Sequence, residues 1–375
     1  MEGIWWFSAG MIVYFYCGYP ILLFILSLLK PFRSSSNKDY QPSMTLIIAA
    51  YNEEDAIEKK VQQSLALEYP KDLLQIIVAS DASTDRTDEI VKQYESRGVV
   101  LFRQSVRLGK SAALNAVVSS LATGEILVFT DATTEIQQDS LIAIAGYFHD
   151  QRTGAVCGNL RFIDHVSHGE SMYWRYEKLL RKYEGKIGFL PFVSGAFYAI
   201  QKKIYSSTPG EIPDDSNSPL QALKIKKYVV FAENAVATEI SPRFEEDLFS
   251  VKVRGIVREL NSIRYNRVLL NPFEYFFPSL ILFNHRILRY SIPFLLLLLF
   301  VSNVFLISMH SIYMMMFMLQ LIFYVLAITK SLFLKKSTIR IFLVPYHFCL
   351  INYAAAIGVA QFILQKKYTV WEPAR

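Results

Sequence analysis

The sequence predicts an α/β domain built on a mostly parallel sheet, with transmembrane helices flanking it on both sides. Three observations carry that reading. Of 375 residues, 52% are hydrophobic and only 19% charged, where an ordinary soluble domain is about a quarter charged. The deficit is local: residues 3–29, 291–329 and 341–365 contain no Asp, Glu, Lys or Arg over 27, 39 and 25 positions. About 20 apolar residues cross a hydrocarbon core, so these stretches have room for one, two and one spans. Between them, short β-branched runs alternate with charged amphipathic ones, the pattern of parallel strands covered by helices on both faces.

The first element is a membrane helix over residues 1–30. It has no basic n-region and no small-residue cleavage signal, and Lys30 and Arg33 follow the apolar run, so it reads as an uncleaved span entering the cytoplasm at Lys30. Residues 31–270 form the cytoplasmic domain. Strands are expected at 44–50, 74–79, 99–103 and 125–130, and helices over 53–67, 84–97 and 110–121. Residues 271–290, with Phe273, Tyr275, Phe276 and Phe277, are expected to form an interfacial amphipathic segment. Residues 291–375 form a C-terminal transmembrane region of about three membrane segments. The last is interrupted by Pro345 and Gly358. Four simple spans beginning outside would end outside, whereas Lys366, Lys367 and Arg375 favour a cytoplasmic C-terminus. Either the last stretch re-enters, or 271–290 enters the membrane more deeply.

The net charge of +6 is explained by basic residues near the membrane ends and does not call for nucleic acid. Cys17, Cys157 and Cys349 are far apart, which excludes a disulfide framework and a clustered metal site. His165 and His168 have the spacing of a metal pair but no third ligand nearby, so loop packing explains them better.

In an open α/β sheet, ligands bind outside the carboxyl ends of the strands. Tyr51, Asn52 and Glu53 follow the first strand, Asp81 the second and Asp131 the fourth. No G-x-G-x-x-G follows the first strand and no P-loop is present, which excludes the usual dinucleotide and P-loop enzymes. In the segment 79–87, Ser83 or Thr84 can cap the next helix and Asp85 suits its first turn. Asp81 precedes that cap and suits a base imide or a ribose hydroxyl. Lys110, at the start of the third helix, can hold a diphosphate or sit in a solvated turn. Asp214 and Asp215 can cap a helix, or one can act as a general base, since adjacent carboxylates in a closed site raise one pKa.

Together and in this order, residues 42–236 resemble the membrane-associated family 2 glycosyltransferases, whose GT-A fold is a Rossmann-like, mostly parallel sheet. The resemblance implies that Ala50, Tyr51, Glu53, Asp81, Lys110 and Asp131 bind the donor, and that the pair Asp214-Asp215, usually E-D, supplies the catalytic base. Ser194-Gly195-Ala196-Phe197 resembles the acceptor-side loop, and Lys252-Val-Arg254-Gly255 is the nearest remnant of Q-x-x-R-W, so Gly195, Ala196 and Arg254 fall on the acceptor side. The family's D-x-D is here Asp131-Ala132-Thr133, so a Mg or Mn ion would meet Asp131 and only the neutral hydroxyl of Thr133, or a water on it.

What this implies is inverting transfer of a sugar, expected from a UDP-sugar, to a lipid-linked or saccharide acceptor at the cytoplasmic face of the cell membrane. The setting is surface polysaccharide biosynthesis, beside the bilayer and polysaccharide assembly proteins. The missing Q-x-x-R-W implies a single sugar rather than a polymer. Thr133 and that same absence motivate an alternative, an inactive membrane scaffold subunit. A transporter is disfavoured, because the uncharged stretches hold no ionisable side chain of the membrane-pathway kind beyond His310 and His347.

Overall fold

The computed structural model describes residues 1–30, 32, 36–163, 168–240, 245–334 and 339–368. Arg33, His165 and Arg375 lie outside the described residues. Its centre is one eight-stranded sheet: β1 (Met44–Ala50), β2 (Leu74–Ser80), β3 (Val99–Arg103), β4 (Ile126–Asp131), β5 (Glu135–Ile136), β6 (Thr153–Phe162), β7 (Phe197–Gln201) and β8 (Tyr228–Glu239). The order is β3-β2-β1-β4-β7-β6-β8-β5. β1 is parallel to β2 and β4, β2 to β3, and β6 to β8. β7 runs antiparallel to both β4 and β6. Two reversals restore direction, so β1, β2, β4, β6 and β8 all end at the same edge, and that carboxyl edge is shared by both halves of the sheet.

The continuous apolar runs are explained by burial on both faces. Leu46, Ile48, Val78 and Val128 point into one core with Ile57, Val61 and Ile144. Their neighbours Ile47, Ile77, Leu127 and Phe129 point into the other with Leu114, Val117 and Leu220. The period of two in strand side chains requires this split.

Two helices are shorter than expected. Residues 53–67 give a helix only over Ile57–Leu65, and 84–97 give Thr87–Lys92 and a short 3₁₀ turn at Glu95–Arg97. The missing turns are spent on loops at the sheet edge, where Asn52 and Ala82 adopt left-handed φ angles of 53° and 58°.

Among the described residues, four helices are long and apolar enough to cross a membrane: Glu2–Leu29, Phe276–Leu306, Ser311–Leu332 and Arg340–Ile363. Residues 276–290, expected as part of a separate interfacial segment, are the first half of one continuous helix with a π-helical stretch at Leu282–Leu288. The Arg340–Ile363 helix runs unbroken through Pro345 and Gly358. A Cβ on Gly358 would lie 2.8 Å from Ile256 Cγ2, so this helix packs closely on the Glu245–Tyr265 helix, whose Ile263 belongs to the sheet's own core. Past its end, Lys367 Nζ lies 2.7 Å from Glu211 Oε2 on the α/β domain.

Candidate active site

The loops after β1 and β2 are tied to each other before any ligand arrives. Asn52 N–H donates to Ser83 Oγ (3.2 Å), Thr84 N–H to Asn52 Oδ1 (2.8 Å), Glu53 N–H to Thr87 Oγ1 (2.8 Å) and Glu54 N–H to Asp85 Oδ2 (3.1 Å). Asp85 Oδ1 accepts from Thr87 N–H (3.0 Å) and Thr87 Oγ1 (2.6 Å). Burial opposes its charge, but those hydrogen bonds outweigh it and hold its pKa below the usual carboxylate value. Asp85 thus steadies the start of the Thr87–Lys92 helix, while Ser83 and Thr84, the expected caps, instead hold Asn52. Ala50 C=O accepts from Asp81 N–H at 3.0 Å, and the Arg107 guanidinium sits 3.8 Å from the Tyr51 ring centroid.

Asp81 is buried and three protein donors reach its carboxylate. Its carboxylate accepts from Gln104 Nε2 (2.7 Å), Leu108 N–H (2.9 Å) and Gly109 N–H (2.8 Å). These bonds fix the turn that presents Lys110. Gly109 supplies the φ of 95° that turn needs.

Lys110 enters no solvated turn. Its Nζ donates to Asp131 Oδ1 (2.5 Å) and Gly195 C=O (3.4 Å). Burial opposes its charge, but Asp131, Asp214 and Asp215 outweigh burial and raise its pKa above the ordinary lysine value. The Asp214–Lys224 helix starts without a side-chain cap, so capping does not explain the acidic pair. Asp214 accepts from the Tyr198 hydroxyl at 2.8 Å. Asp215 is pushed from 3.8 up to about 7, by burial first and the neighbouring Asp214 second, against the pull of Lys110 and Arg258. Gly195 lies directly on this carboxylate: a Cβ there would meet Asp215 Oδ2 at 2.8 Å. Gly195 and Ala196 form a turn leading into β7, and Ala196 is buried in it.

A second carboxylate has its pKa raised beside Asp131. Glu239, at the end of β8, accepts from Thr133 Oγ1 at 3.2 Å. Burial and then the Asp131 charge push it from 4.5 up to about 7. Beneath the same turn Lys60 is buried and donates to Thr130 Oγ1 (2.9 Å) and to Thr134 C=O. Burial pulls Lys60 down to about 7. No group of three His, Cys, Asp or Glu side chains among the described residues is arranged to hold a metal by itself.

The fold therefore gathers Lys110, Asp131, Thr133, Gly195, Asp214 and Asp215 at one edge, with Tyr51, Glu53 and Asp81 on the adjoining loops. Arg254 lies one helical turn before Arg258, whose pKa burial lowers against the opposing pull of Asp215 and Asp214. Sequence reasoning missed Arg258, Glu239, Tyr198 and Lys60. Two of these left a signal: Arg254 and Arg258 share a helix face at i, i+4, and Lys60 falls on the buried face formed by Ile57, Val61 and Ser64.

This sheet order, with carboxylates at the shared carboxyl edge, defines a GT-A domain. The fold matches that of a mannosyltransferase, PcManGT of Pyrobaculum calidifontis, solved in complex with GDP-Man and Mn2+. The match has a TM-score of 0.75 and 21% identity, and covers 98% of this chain and 99% of that one. Residues 45–208 match the glycosyl transferase family 2 model. A probable glycosyltransferase of Bacillus subtilis, YdaM, is 22% identical over 267 residues, 64% of this chain and 63% of that protein. Poly-β-1,6-N-acetyl-D-glucosamine synthase of Staphylococcus aureus is 31% identical over 172 residues, 44% of this chain and 41% of the synthase. Each match thus spans less than two thirds of these curated relatives.

Proposed function

We propose that this chain transfers one sugar, with inversion, from a nucleotide sugar to a lipid-linked or saccharide acceptor at the cytoplasmic face of the cell membrane, in surface polysaccharide assembly. We take the donor to be a UDP-sugar. The observation that carries the proposal is Asp215, a partly buried carboxylate lifted to about 7 beside Lys110 and Asp131, since a general base works best with a pKa near the operating pH. Asp215 takes the proton of the acceptor hydroxyl. The oxygen forms its bond to the anomeric carbon as the bond from that carbon to the diphosphate breaks, and the nucleoside diphosphate leaves with its electrons. Lys110 turns from Asp131 to the departing diphosphate, and the start of the Lys110–Ser120 helix adds its positive dipole end. Ala50, Tyr51, Glu53 and Asp81 hold the nucleoside side. Gly195, Ala196 and Arg254, with Arg258, border the acceptor.

The family implies Mg or Mn, and the donor set fits one. Asp131 and Glu239 flank Thr133, and such ions are commonly held by one or two carboxylates with substrate phosphates and waters completing the shell. Glu239 supplies the second carboxylate that the sequence motif lacks, so Asp131 and Glu239 would hold the ion. When bound, it neutralises charge on the diphosphate.

The membrane reading rests on the same chain. Lys30 follows the Glu2–Leu29 helix on the side where the α/β domain begins, which supports a cytoplasmic domain. The Lys367–Glu211 pair and the packing of Gly358 on Ile256 support a C-terminus on the side of the catalytic domain, with the last helix lying against that domain rather than crossing.

The test is incubation of the full chain in membranes with labelled nucleotide sugars, followed by lipid extraction. Label is expected to move to an acceptor in the parent, and Asp215→Asn is expected to lose about 10²–10⁴-fold in rate while still binding nucleotide. Unchanged transfer in that variant removes Asp215 as base. Absence of transfer from every donor in the parent favours the scaffold.

A further inference from the structure

Beside the acceptor edge lies a cavity of about 260 Å³ between β6, β8 and the His168–Ile187 helix. Its walls carry Arg161, Lys178 and Arg181 together with Phe162, Trp174 and Phe231. Gly185 lets the helix approach the strand, since a Cβ there would lie 2.5 Å from Phe231 Cβ. The Phe162 and Trp174 rings meet at 4.9 Å with a 53° tilt, an aromatic wall of the kind that receives the C–H face of a sugar ring, with Lys252 Nζ 5.1 Å from the Trp174 centroid.

Among the described residues, positive charge predominates on the walls of this cavity, which Arg175 also lines. None of Arg161, Lys178 and Arg181 enters an ion pair among the described residues, and the nearby Glu233 already bonds Lys182 at 3.0 Å. Among the described residues the buried Nε of Arg181 has no hydrogen-bond partner, and such a group costs free energy until something accepts from it. Burial, and then repulsion from Arg161, lowers the pKa of Lys178. The site asks for an anion.

It also adjoins the proposed base. Gly158 lines the cavity, and its neighbour Cys157 accepts from Ser194 N–H at 3.4 Å. Ser194 precedes Gly195, the residue pressed on Asp215. The Cys157 thiol, pushed up chiefly by burial, feels Arg181 and Asp215 as opposing charges.

We propose that this cavity is an acceptor subsite for a phosphate-bearing sugar, with the ring against Phe162 and Trp174 and the phosphate oxygens accepting from Arg181, Lys178 and Arg161. It rests on the glycosyltransferase reading in that the bound sugar presents its hydroxyl to Asp215. The volume, below the about 300 Å³ where drug-sized sites begin, suits a single sugar unit. The phosphate can belong to a membrane lipid or to a free sugar phosphate.

The experiment uses the full chain in nanodiscs and two probes, glucose 1-phosphate in solution and a polyprenyl-phosphate-linked glucose in the bilayer, with glucose and plain phosphatidylcholine nanodiscs as neutral controls. At least one phosphate probe is expected to bind. Arg181→Gln and the exposed Lys178→Gln are each expected to weaken it about tenfold, the scale of one charge-assisted hydrogen bond, with UDP affinity unchanged. Arg181→Lys is expected to recover part of the loss. Binding of glucose 1-phosphate identifies a soluble source and binding of the lipid alone a membrane one. Failure of both, equal binding of the neutral controls, or wild-type binding in both Gln variants overturns the subsite. Phosphate binding that responds to these variants, without sugar transfer from any donor, keeps the subsite as an anion site and overturns the glycosyltransferase reading alone.

Discussion

Two regions of this protein bury charge, and they do so in opposite ways. Where the Phe276–Leu306 helix meets the His168–Ile187 helix, anions and cations are matched. Glu177 pairs with Arg289 (2.5 Å) and His285 (3.4 Å), Glu184 with His285 (2.6 Å) and the Tyr19 hydroxyl (2.9 Å), and Glu259 with Arg286 (3.4 Å). Burial opposes the charge on Glu177, but Arg289, His285 and Arg286 outweigh it and hold its pKa well below the usual range. At the sheet edge the acids outnumber their partners. Lys110 satisfies Asp131, and Asp215 and Glu239 are left holding protons up to about 7. A buried cluster in which each acid faces a cation joins two parts of a fold, whereas one with surplus acids is arranged around groups that a ligand brings.

The largest expected effect comes from breaking the matched region. Glu177→Gln leaves Arg289 and His285 without their carboxylate and is expected to cost about 3–5 kcal/mol of stability, read as a lowered unfolding midpoint in detergent with little change in nucleotide affinity once folded. A small effect there would mean that the junction is solvated and not a structural joint. At the site, Gly195→Ala must move Asp215, because the added Cβ would lie 2.8 Å from Oδ2. A displacement of that order at a reacting group costs about 10²-fold in rate, so kcat is expected to fall while nucleotide affinity holds.

Glu239→Gln is expected to weaken Mn2+ binding about tenfold or more in the presence of UDP, measured by electron paramagnetic resonance of free Mn2+. Thr133→Asp in that background restores the D-x-D pattern and is expected to recover the affinity. If Glu239→Gln leaves Mn2+ binding unchanged, Glu239 is no ligand.

The smallest effect is in the pH dependence of stability, where the two regions have opposite sign. Asp215 and Glu239 have raised folded pKa values, so the stability they add is full below their unfolded values and is lost as pH rises through about 7. Glu177 has a depressed value, so its contribution is full above the unfolded carboxylate range and is lost as pH falls through and below it. Unfolding midpoints across pH should therefore show Asp215→Asn gaining on the parent as pH rises from the unfolded carboxylate range to about 7, and Glu177→Gln approaching it in acid. The rate of transfer should rise with pH through the same neutral range.

Much of this was legible from residue order. β1 to β4 were expected within a residue or so of their ends, because an apolar β-branched run bounded by polar loops has few other solutions. Lys110, Asp131, Asp214 and Asp215 were identified as candidates because each stands at a strand end or helix start. Helix lengths were read less well: Asn52, Ser83, Thr84 and Asp85 bond across two loops that are 30 residues apart, and no local pattern encodes a partner at that distance.

The sequence by itself determined the division into apolar helices and an α/β domain, and the acids and the lysine gathered at the carboxyl edge of the sheet, since hydrophobic period and strand-end placement are local properties. The tertiary structure alone decided the rest. β7 inserted antiparallel between β4 and β6 brings the end of β8 to the same edge as β4, and so sets Glu239 against Thr133. The packing of Gly358 on Ile256 returns the chain end to the domain and Lys367 to Glu211. These contacts join residues more than a hundred positions apart, and only the packing of one element on another fixes them.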